Sequence, residues 1–326
     1  MSFSEIIGHK NVINFLEKSV KNDQVSHAYL FYGPKHLGKR TIAEKFVEIL
    51  LGQPVSNHPD VYFVRREKDE KEEKMTSEIS ISQMRELERK LSLSSFLNSY
   101  KIAIIEEAET MSLEAANSLL KTLEEPTPKT VIILLSSSLA ALPATIVSRC
   151  QTLKFLPVGE EKIYQYLVGQ GASRDEAQNF AKASWGKPGV AIDFWQSRGE
   201  GESGAMASYM EETKGVIEIM RADTLTGRMR VFEKYFAKDK ATEDLTDSLN
   251  KILSLWRSIL RDAALVKTNC PEMISNQIFF EDIKKIAKWS DISLFPKLYR
   301  GIGEASRCFG DNFNPRLVLE NLMLSF

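Results

Sequence analysis

The spacing of apolar residues changes along the first part of the chain, and each change predicts a different element. A fourfold apolar spacing over residues 10–21 predicts a helix with one buried face. The run "AYLFY" at 28–32 is apolar throughout and stops at Gly33, which predicts a short buried strand. The segment "TIAEKFVEILL" at 41–51 predicts a second helix. A strand, a glycine-containing loop and a helix therefore follow one another.

The alternation of strands and helices continues to about residue 157. "KIAIIEEAETM", which starts at Lys101, predicts a buried strand that ends in acidic residues. "SLEAANSLLKTLEE" at 112–125 predicts a helix stopped by prolines, with Leu113, Ala116, Leu120 and Leu123 on its apolar face. "TVIILLSSS" and "CQTLKFLP" predict two more strands. Strands that are apolar on both faces indicate a parallel sheet covered by helices, which is an α/β domain.

The pattern after Pro157 is helical to the end of the chain. Three short helical stretches are predicted between 158 and 200, followed by a glycine- and serine-rich patch at 197–208 that has the composition of a linker. We therefore predict three domains: an α/β domain at 1–157, a small helical domain at 158–204 and a helical C-terminal domain at 205–326.

Composition narrows the function classes. The 43 basic and 44 acidic residues nearly cancel, so any contact with DNA is expected to come through an assembly rather than through this chain alone. Three scattered cysteines are typical of a reducing compartment and argue against a disulfide framework. No apolar run approaches the length of a membrane span, so we expect a cytoplasmic protein with no membrane partner.

The loop after the first strand carries the spacing of a phosphate-binding loop. Gly33, Pro34, Gly38 and Lys39 stand where such a loop places backbone N–H groups and an ammonium around phosphates. The next position normally holds Ser or Thr as a magnesium ligand, but this chain has Arg40 there and Thr41 one position later. A plain helix-start turn with an exposed lysine is the structural alternative.

Three further features lie at the ends of other predicted elements. Glu106 and Glu107 end the second apolar strand, where one acid would position Mg²⁺ and the next would orient the attacking water. Ser137 follows a later strand and is a candidate for contact with the γ-phosphate. Arg149, in "SRC", would reach the nucleotide of a neighbouring subunit. Taken singly, these features are explained at least as well by ordinary helix-start acids, a strand-end turn and a surface ion pair, respectively.

In combination these segments resemble a known family. "AANSLLKTLEEP", "SRCQ", the loop segment "SHAYLFYGPKHLGKRTIAEKF" and the C-terminal "NPRLVLENLML" resemble the bacterial clamp-loader branch of the AAA+ ATPases, and within it the delta-prime subunits of DNA polymerase III. The resemblance implies a RecA-like AAA+ domain, a helical lid and a helical collar. It further implies a hetero-pentameric ring with delta and gamma/tau subunits, which loads a sliding clamp on primed DNA. It makes Arg149 an arginine finger that acts in trans.

The chain departs from the family pattern at the positions that serve hydrolysis. Arg40 replaces the magnesium ligand, Glu106 replaces the usual aspartate, and Val190, in "GKPGVA", stands where the lid normally carries an arginine. We therefore expect ATP or ADP to bind weakly or to have a vestigial site, without a well-formed Mg²⁺ site. "LLGQPVSNHPD" lacks the cysteines of the zinc module found in many relatives, so no zinc is expected.

Three functions compete at this point. The first is a non-hydrolysing clamp-loader subunit that acts through Arg149. The second is an active ATPase of the gamma/tau type, with Thr41 serving the metal. The third is an AAA+ subunit of a repair or recombination complex. Arg40 and Val190 favour the first over the second, and the C-terminal "NPRLVLENLML" favours it over the third.

Overall fold

The computed structural model describes residues 3, 5–56, 58–67, 76, 78–96, 100–236, 245–289, 291–310 and 314–324. Five strands run in the first half: β1 Ala28–Tyr32, β2 Val61–Val64, β3 Lys101–Ile105, β4 Thr130–Ser136 and β5 Gln151–Lys154. The helices among and beyond them are α1 Lys10–Lys21, α2 Lys39–Leu51, α3 Ile81–Ser92, α4 Leu113–Glu124, α5 Ala144–Val147, α6 Glu160–Gly169, α7 Arg174–Ala183, α8 Pro188–Gln196, α9 Ala205–Arg221, α10 Leu225–Phe236, α11 Leu245–Lys267, α12 Phe280–Trp289, α13 Leu294–Gly310 and α14 Pro315–Leu324.

The five strands form one parallel sheet with the order β2-β3-β4-β1-β5. Successive side chains of a strand point to opposite faces, and both faces of the three central strands β1, β3 and β4 are buried. Tyr29 and Phe31 pack into one core with residues of α1 and α2, such as Leu16 and Phe46. Leu30 packs into the second core with residues of α3 and α4. The predicted parallel sheet covered by helices is confirmed.

Local capping fixes the starts of two helices. Ser80 and Gln83 form a capping box at α3, and Ser173 and Glu176 form another at α7. One prediction of a buried face is wrong in part. Leu113 is the first residue of α4 and is 68% exposed, while Leu119, which was not assigned to that face, is fully buried.

The chain folds into two compact units. The first contains Met1–Tyr166 and Gly186–Val190, and the second contains Leu167–Trp185 and Ala191–Phe326. The second unit is helical, with Trp256 of α11 fully buried in it. The glycine- and serine-rich patch predicted as a linker is two 3-10 turns, and α9 already begins at Ala205. The boundaries of the three predicted domains stay a prediction.

Candidate functional site: a phosphate-binding loop and a distant arginine

The loop between β1 and α2 is fixed by two glycines in backbone conformations that side chains rarely adopt. Gly33 has φ of 145°, and a Cβ there would lie 2.3 Å from the carbonyl oxygen of Phe155. Gly38 precedes α2 with φ of 86° and has open space where a Cβ would be. The N–H of Gly33 donates to the carbonyl of Ser136, at the carboxyl end of β4. The loop therefore lies at the carboxyl edge of the sheet, where parallel α/β sheets bind ligands.

Lys39, the first residue of α2, folds back over the loop. Its Nζ donates to the carbonyl oxygens of Gly33, at 2.5 Å, and of Pro34, at 2.7 Å. Burial lowers the pKa of Lys39 to about 8, with Glu109 opposing the shift and Lys35 adding to it. The ammonium thus occupies the concave side of the loop, where a phosphate would be its natural partner.

Arg40 lies between two carboxylates, one of which is the candidate metal ligand Glu106. Its Nε donates to Oε1 of Glu44 at 2.7 Å, and NH1 lies 3.2 Å from Oε1 of Glu106. Its guanidinium also lies over the ring of Phe63. The hydrogen bond that Arg40 donates to Glu44 is the main cause that raises the pKa of Arg40, and the charge of Glu106 adds to it. The positive charge of Arg40 thus stands where Mg²⁺ would be expected.

Glu107 is held by two cations. Lys35, which lies in the loop, contacts Oε1 at 2.9 Å, and Arg66 contacts Oε2 at 2.9 Å. Burial by itself would raise the pKa of Glu107, but the bonds and charges of Lys35 and Arg66 outweigh it and lower the pKa. A carboxylate committed to two cations is a weak base for activating water.

Ser137 is held near the phosphate loop by Glu109. The N–H of Ser137 donates to Oε1 of Glu109 at 3.0 Å. Glu109 lies in the 3-10 turn after β3, so the turn ties the end of β4 to the end of β3. Ser137 thus lies at the expected edge of the sheet, while its predicted contact with the γ-phosphate stays a prediction.

Two more predicted positions lie near the loop in sequence or space. Thr41 is exposed on the first turn of α2. The N–H of Gly189 donates to the carbonyl of His36 at 2.9 Å, so the "KPGV" segment packs on the loop. Val190 follows directly and supplies no cation. The lid segment reaches the loop without the arginine that the family pattern would place there.

Arg149 lies at the opposite edge of the sheet. β5 runs parallel to β1 with Tyr29 opposite Gln151, so Arg149 precedes the amino end of β5 while the loop follows the carboxyl end of β1. NH2 of Arg149 donates to Oε1 of Glu124 at 2.5 Å, and NH1 donates to the carbonyl of Thr145 at 2.9 Å. The guanidinium is held in place, yet 34% of the side chain is exposed.

The residues present fit a nucleotide better than its usual metal. The two glycines and the inward-facing Lys39 fit a phosphate. Arg40 fits Mg²⁺ poorly, because a guanidinium has no lone pair to donate and its charge repels a second cation. Among the described residues, no group of three or more metal-ligating side chains is placed to bind an ion. The expectation of no zinc stays a prediction.

The structure brings together most of the predicted site. Gly33, Pro34, Gly38, Lys39, Arg40, Glu106, Glu107 and Ser137 belong to the loop and the neighbouring strand ends, while Arg149 does not. Sequence reasoning missed Lys35, Arg66, Glu109 and Glu124, which pair with predicted residues. The run "EEAE" contained a signal for Glu109; nothing local in the sequence pointed to Arg66.

Sequence comparisons relate this chain to subunits of DNA polymerase III. The sequence profile of the family described as "DNA polymerase III, delta subunit" matches residues 8–159. The chain is 27% identical to the DNA polymerase III subunit delta' of Bacillus subtilis over 96% of this chain and 94% of that protein. It is 36% identical to the delta' subunit of Pseudomonas aeruginosa, over 39% of this chain and 42% of that protein.

The fold is also found in a solved structure. A DNA polymerase III gamma subunit-related protein from Thermotoga maritima superposes with a TM-score of 0.54 and 17% identity, covering 95% of this chain and 97% of that one. Within the described residues, no helix combines the length and apolar character needed to cross a membrane. By these sequence matches, the chain is similar along nearly its whole length to a delta' subunit of DNA polymerase III and, over residues 8–159, to the family described as "DNA polymerase III, delta subunit".

Proposed function

We propose that this chain is a clamp-loader subunit that promotes ATP hydrolysis by a neighbour and hydrolyses little or none itself. It joins delta and gamma/tau subunits in a ring through its C-terminal helices, and the ring opens a sliding clamp and loads it on primed DNA. Similarity to a delta' subunit over nearly the whole chain supports the assembly role. A cytoplasmic location accords with that role.

The observation that carries the proposal is the placement of Arg149. The strand β5 separates Arg149 from the edge that bears the chain's own loop. Four residues of strand span about 13 Å, which is too far for the guanidinium to serve its own phosphate site directly. An arginine held by Glu124 yet partly exposed is arranged for a ligand outside its own subunit.

The chemistry follows from that placement. As a γ-phosphoryl group is transferred, negative charge shifts among its oxygens and the leaving group, and a guanidinium stabilises it with two parallel N–H donors. Arg149 would supply these donors across the subunit boundary. Fingers of this kind change the rate by about 10³–10⁵ where they act. Glu107, bound by Lys35 and Arg66, would leave the chain's own site without a competent base.

The test is a ring assembled with an Arg149→Ala chain. We expect normal assembly on gel filtration, with a loss of at least tenfold in the ATPase activity stimulated by clamp and primed DNA. Arg89→Ala is the matched control, because Arg89 is an exposed arginine of α3 in the same unit. Unchanged ATPase activity in a fully assembled mutant ring would overturn the trans-acting role.

A further inference from the structure

The cations and acids around the phosphate loop balance before any ligand is added. Four positive side chains, Lys35, Lys39, Arg40 and Arg66, face four carboxylates, Glu44, Glu106, Glu107 and Glu109. In an ordinary loop of this type, Mg²⁺ arrives with the nucleotide and bridges its β- and γ-phosphates. Here the carboxylates that would hold the metal are already paired with the protein's own cations.

Arg40 is the cation at the metal position. It follows Lys39 directly, where a hydroxyl would ordinarily coordinate Mg²⁺. Its NH1 lies 3.2 Å from Oε1 of Glu106, the acid at the end of β3. A magnesium ion would have to displace this guanidinium and would lie within a few ångströms of it, at a repulsive distance. Nucleotide and Arg40 are compatible, whereas Mg²⁺ and Arg40 compete.

Arg40 is also accessible to a phosphate. Its side chain is 51% exposed, and its partner Glu44 is 34% exposed. Ion pairs this exposed are weak and exchange partners readily. A phosphate could therefore take one side of the guanidinium, while Lys39 moves from the carbonyls of Gly33 and Pro34 to the same group.

The loop offers fewer cations to the γ-phosphate of ATP than to the β-phosphate. Its usual cations are Mg²⁺ and an arginine from the lid, but the lid segment that packs on His36 continues into Val190. Without a metal, ATP also carries one more negative charge than ADP. Two nearby cations, Lys39 and Arg40, match a terminal β-phosphate better than a triphosphate.

We propose that Arg40 replaces Mg²⁺ in this loop, so that the chain binds a nucleoside diphosphate without a divalent cation. The inference rests on the proposed function in treating the loop as a nucleotide site of a non-hydrolysing subunit. It adds the ligand class and the reason why the metal is not needed. Bound ADP would then be a fixed structural element of the subunit rather than a product awaiting release.

Binding of a fluorescent ADP derivative to the purified full chain tests this proposal. In EDTA we expect micromolar affinity, equivalent to about −8 kcal/mol. Excess MgCl₂ should weaken binding several-fold, because ADP then carries a bound Mg²⁺ ion that Arg40 repels. Competition by unlabelled ATP should require at least as high a concentration as competition by ADP.

The variant Arg40→Thr gives the opposite dependence. It restores a hydroxyl at the metal position, so we expect at least tenfold weaker binding in EDTA and recovery when Mg²⁺ is added. Arg89→Thr should behave as the unchanged chain, and a thermal unfolding curve shows whether each variant is folded. Lys39→Ala should abolish binding in both conditions.

Several outcomes would overturn the proposal. The first is that the unchanged chain binds ADP only when Mg²⁺ is present. The second is that it binds ADP neither with Mg²⁺ nor in EDTA. The third is that ATP competes tenfold better than ADP in EDTA. Failure here is distinct from failure of the clamp-loader role, since ring assembly and the effect of Arg149→Ala are measured separately and without reference to this site.

Discussion

NH1 of Arg40 lies 3.2 Å from Oε1 of Glu106, so a side chain from the start of α2 closes the metal position at the end of β3. Glu107, the next acid, is bound by Lys35 and Arg66. We expect the purified chain to hydrolyse ATP negligibly, because both the metal site and the base are occupied. A coupled assay of steady-state turnover measures this, and turnover that disappears in Lys39→Ala would contradict it.

Replacing Arg40 alone should not create an ATPase. Arg40→Thr can restore a metal ligand, but Glu107 keeps its two cations and the lid still presents Val190. We therefore expect metal-dependent nucleotide binding without turnover. The same coupled assay, run with Mg²⁺ at saturating ATP, separates these two properties.

The lowered pKa of Lys39 predicts how nucleotide affinity depends on pH. Burial brings this pKa to about 8, so the ammonium is charged below pH 8 and neutral above it. Affinity for ADP should be flat from pH 7 to 7.5 and then fall up to tenfold per pH unit above 8. An ordinary lysine would keep its charge to above pH 10.

A matched variant makes this dependence specific to Lys39. In Lys39→Arg the guanidinium stays protonated throughout, so any affinity that remains should be independent of pH between 7 and 9.5. Titrations of fluorescent ADP at several pH values, in buffers of constant ionic strength, measure both profiles. A parallel fall in both proteins would assign the titration to another group.

The sequence predicted the sheet better than the contacts at its edge. Apolar runs such as "AYLFY" are set by burial on both faces, which depends on local residue order and so is visible in one sequence. The pairing of Arg66 with Glu107 joins segments 41 residues apart, and no local pattern encodes it. The prediction that Leu113 is buried is wrong because the first turn of a helix can extend past the core that its later turns cover.

Glu109 should stabilise the first unit through the backbone of Ser137. In Glu109→Ala the N–H of Ser137 loses its acceptor, which should lower the free energy of unfolding by about 1–3 kcal/mol. Glu114→Ala, at an exposed position of α4, should change it by less than about 0.5 kcal/mol. Urea unfolding followed by circular dichroism compares the two.

Glu109→Gln separates the hydrogen bond from the charge. The amide oxygen can still accept from Ser137, so stability should be largely retained. The negative charge that raises the pKa of Lys39 is lost, so the fall in ADP affinity should begin at a lower pH. An unchanged pH profile would show that Glu109 does not act on Lys39.

Asp262 should be a main determinant of stability in the second unit. It is fully buried in α11 and accepts from the N–H of Ser275 at 3.0 Å and from the N–H and Nδ2 of Asn276 at 2.9 and 2.7 Å. Asp262→Ala leaves these donors unsatisfied and should cost about 3–5 kcal/mol. Asp282→Ala, which removes a partly exposed ion pair with Arg221, should cost less than about 1 kcal/mol.

Hydrogen exchange resolves the two variants locally. Peptides that cover residues 250–280 should exchange faster in Asp262→Ala, whereas the sheet of the first unit should be unaffected. Protection that stays at its original level in α11 would mean that Asp262 is not important for the stability of this unit.

Glu124 should position Arg149 for its neighbour. Its Oε1 accepts from NH2 of Arg149 at 2.5 Å, while the carbonyl of Thr145 accepts from NH1 at 2.9 Å. In Glu124→Ala the guanidinium keeps its charge but loses its shortest orienting contact. A finger misplaced by about 1 Å loses much of its effect, so we expect ring ATPase activity to fall about tenfold, less than for Arg149→Ala. The loss should lie in kcat, with the KM for ATP nearly unchanged, because Arg149 acts on charge that develops during transfer.

Glu125→Ala, at the exposed neighbouring position, is the control and should leave both constants unchanged. If Glu124→Ala and Glu125→Ala behave alike in fully assembled rings, Arg149 is positioned by its backbone and Thr145 without help from Glu124.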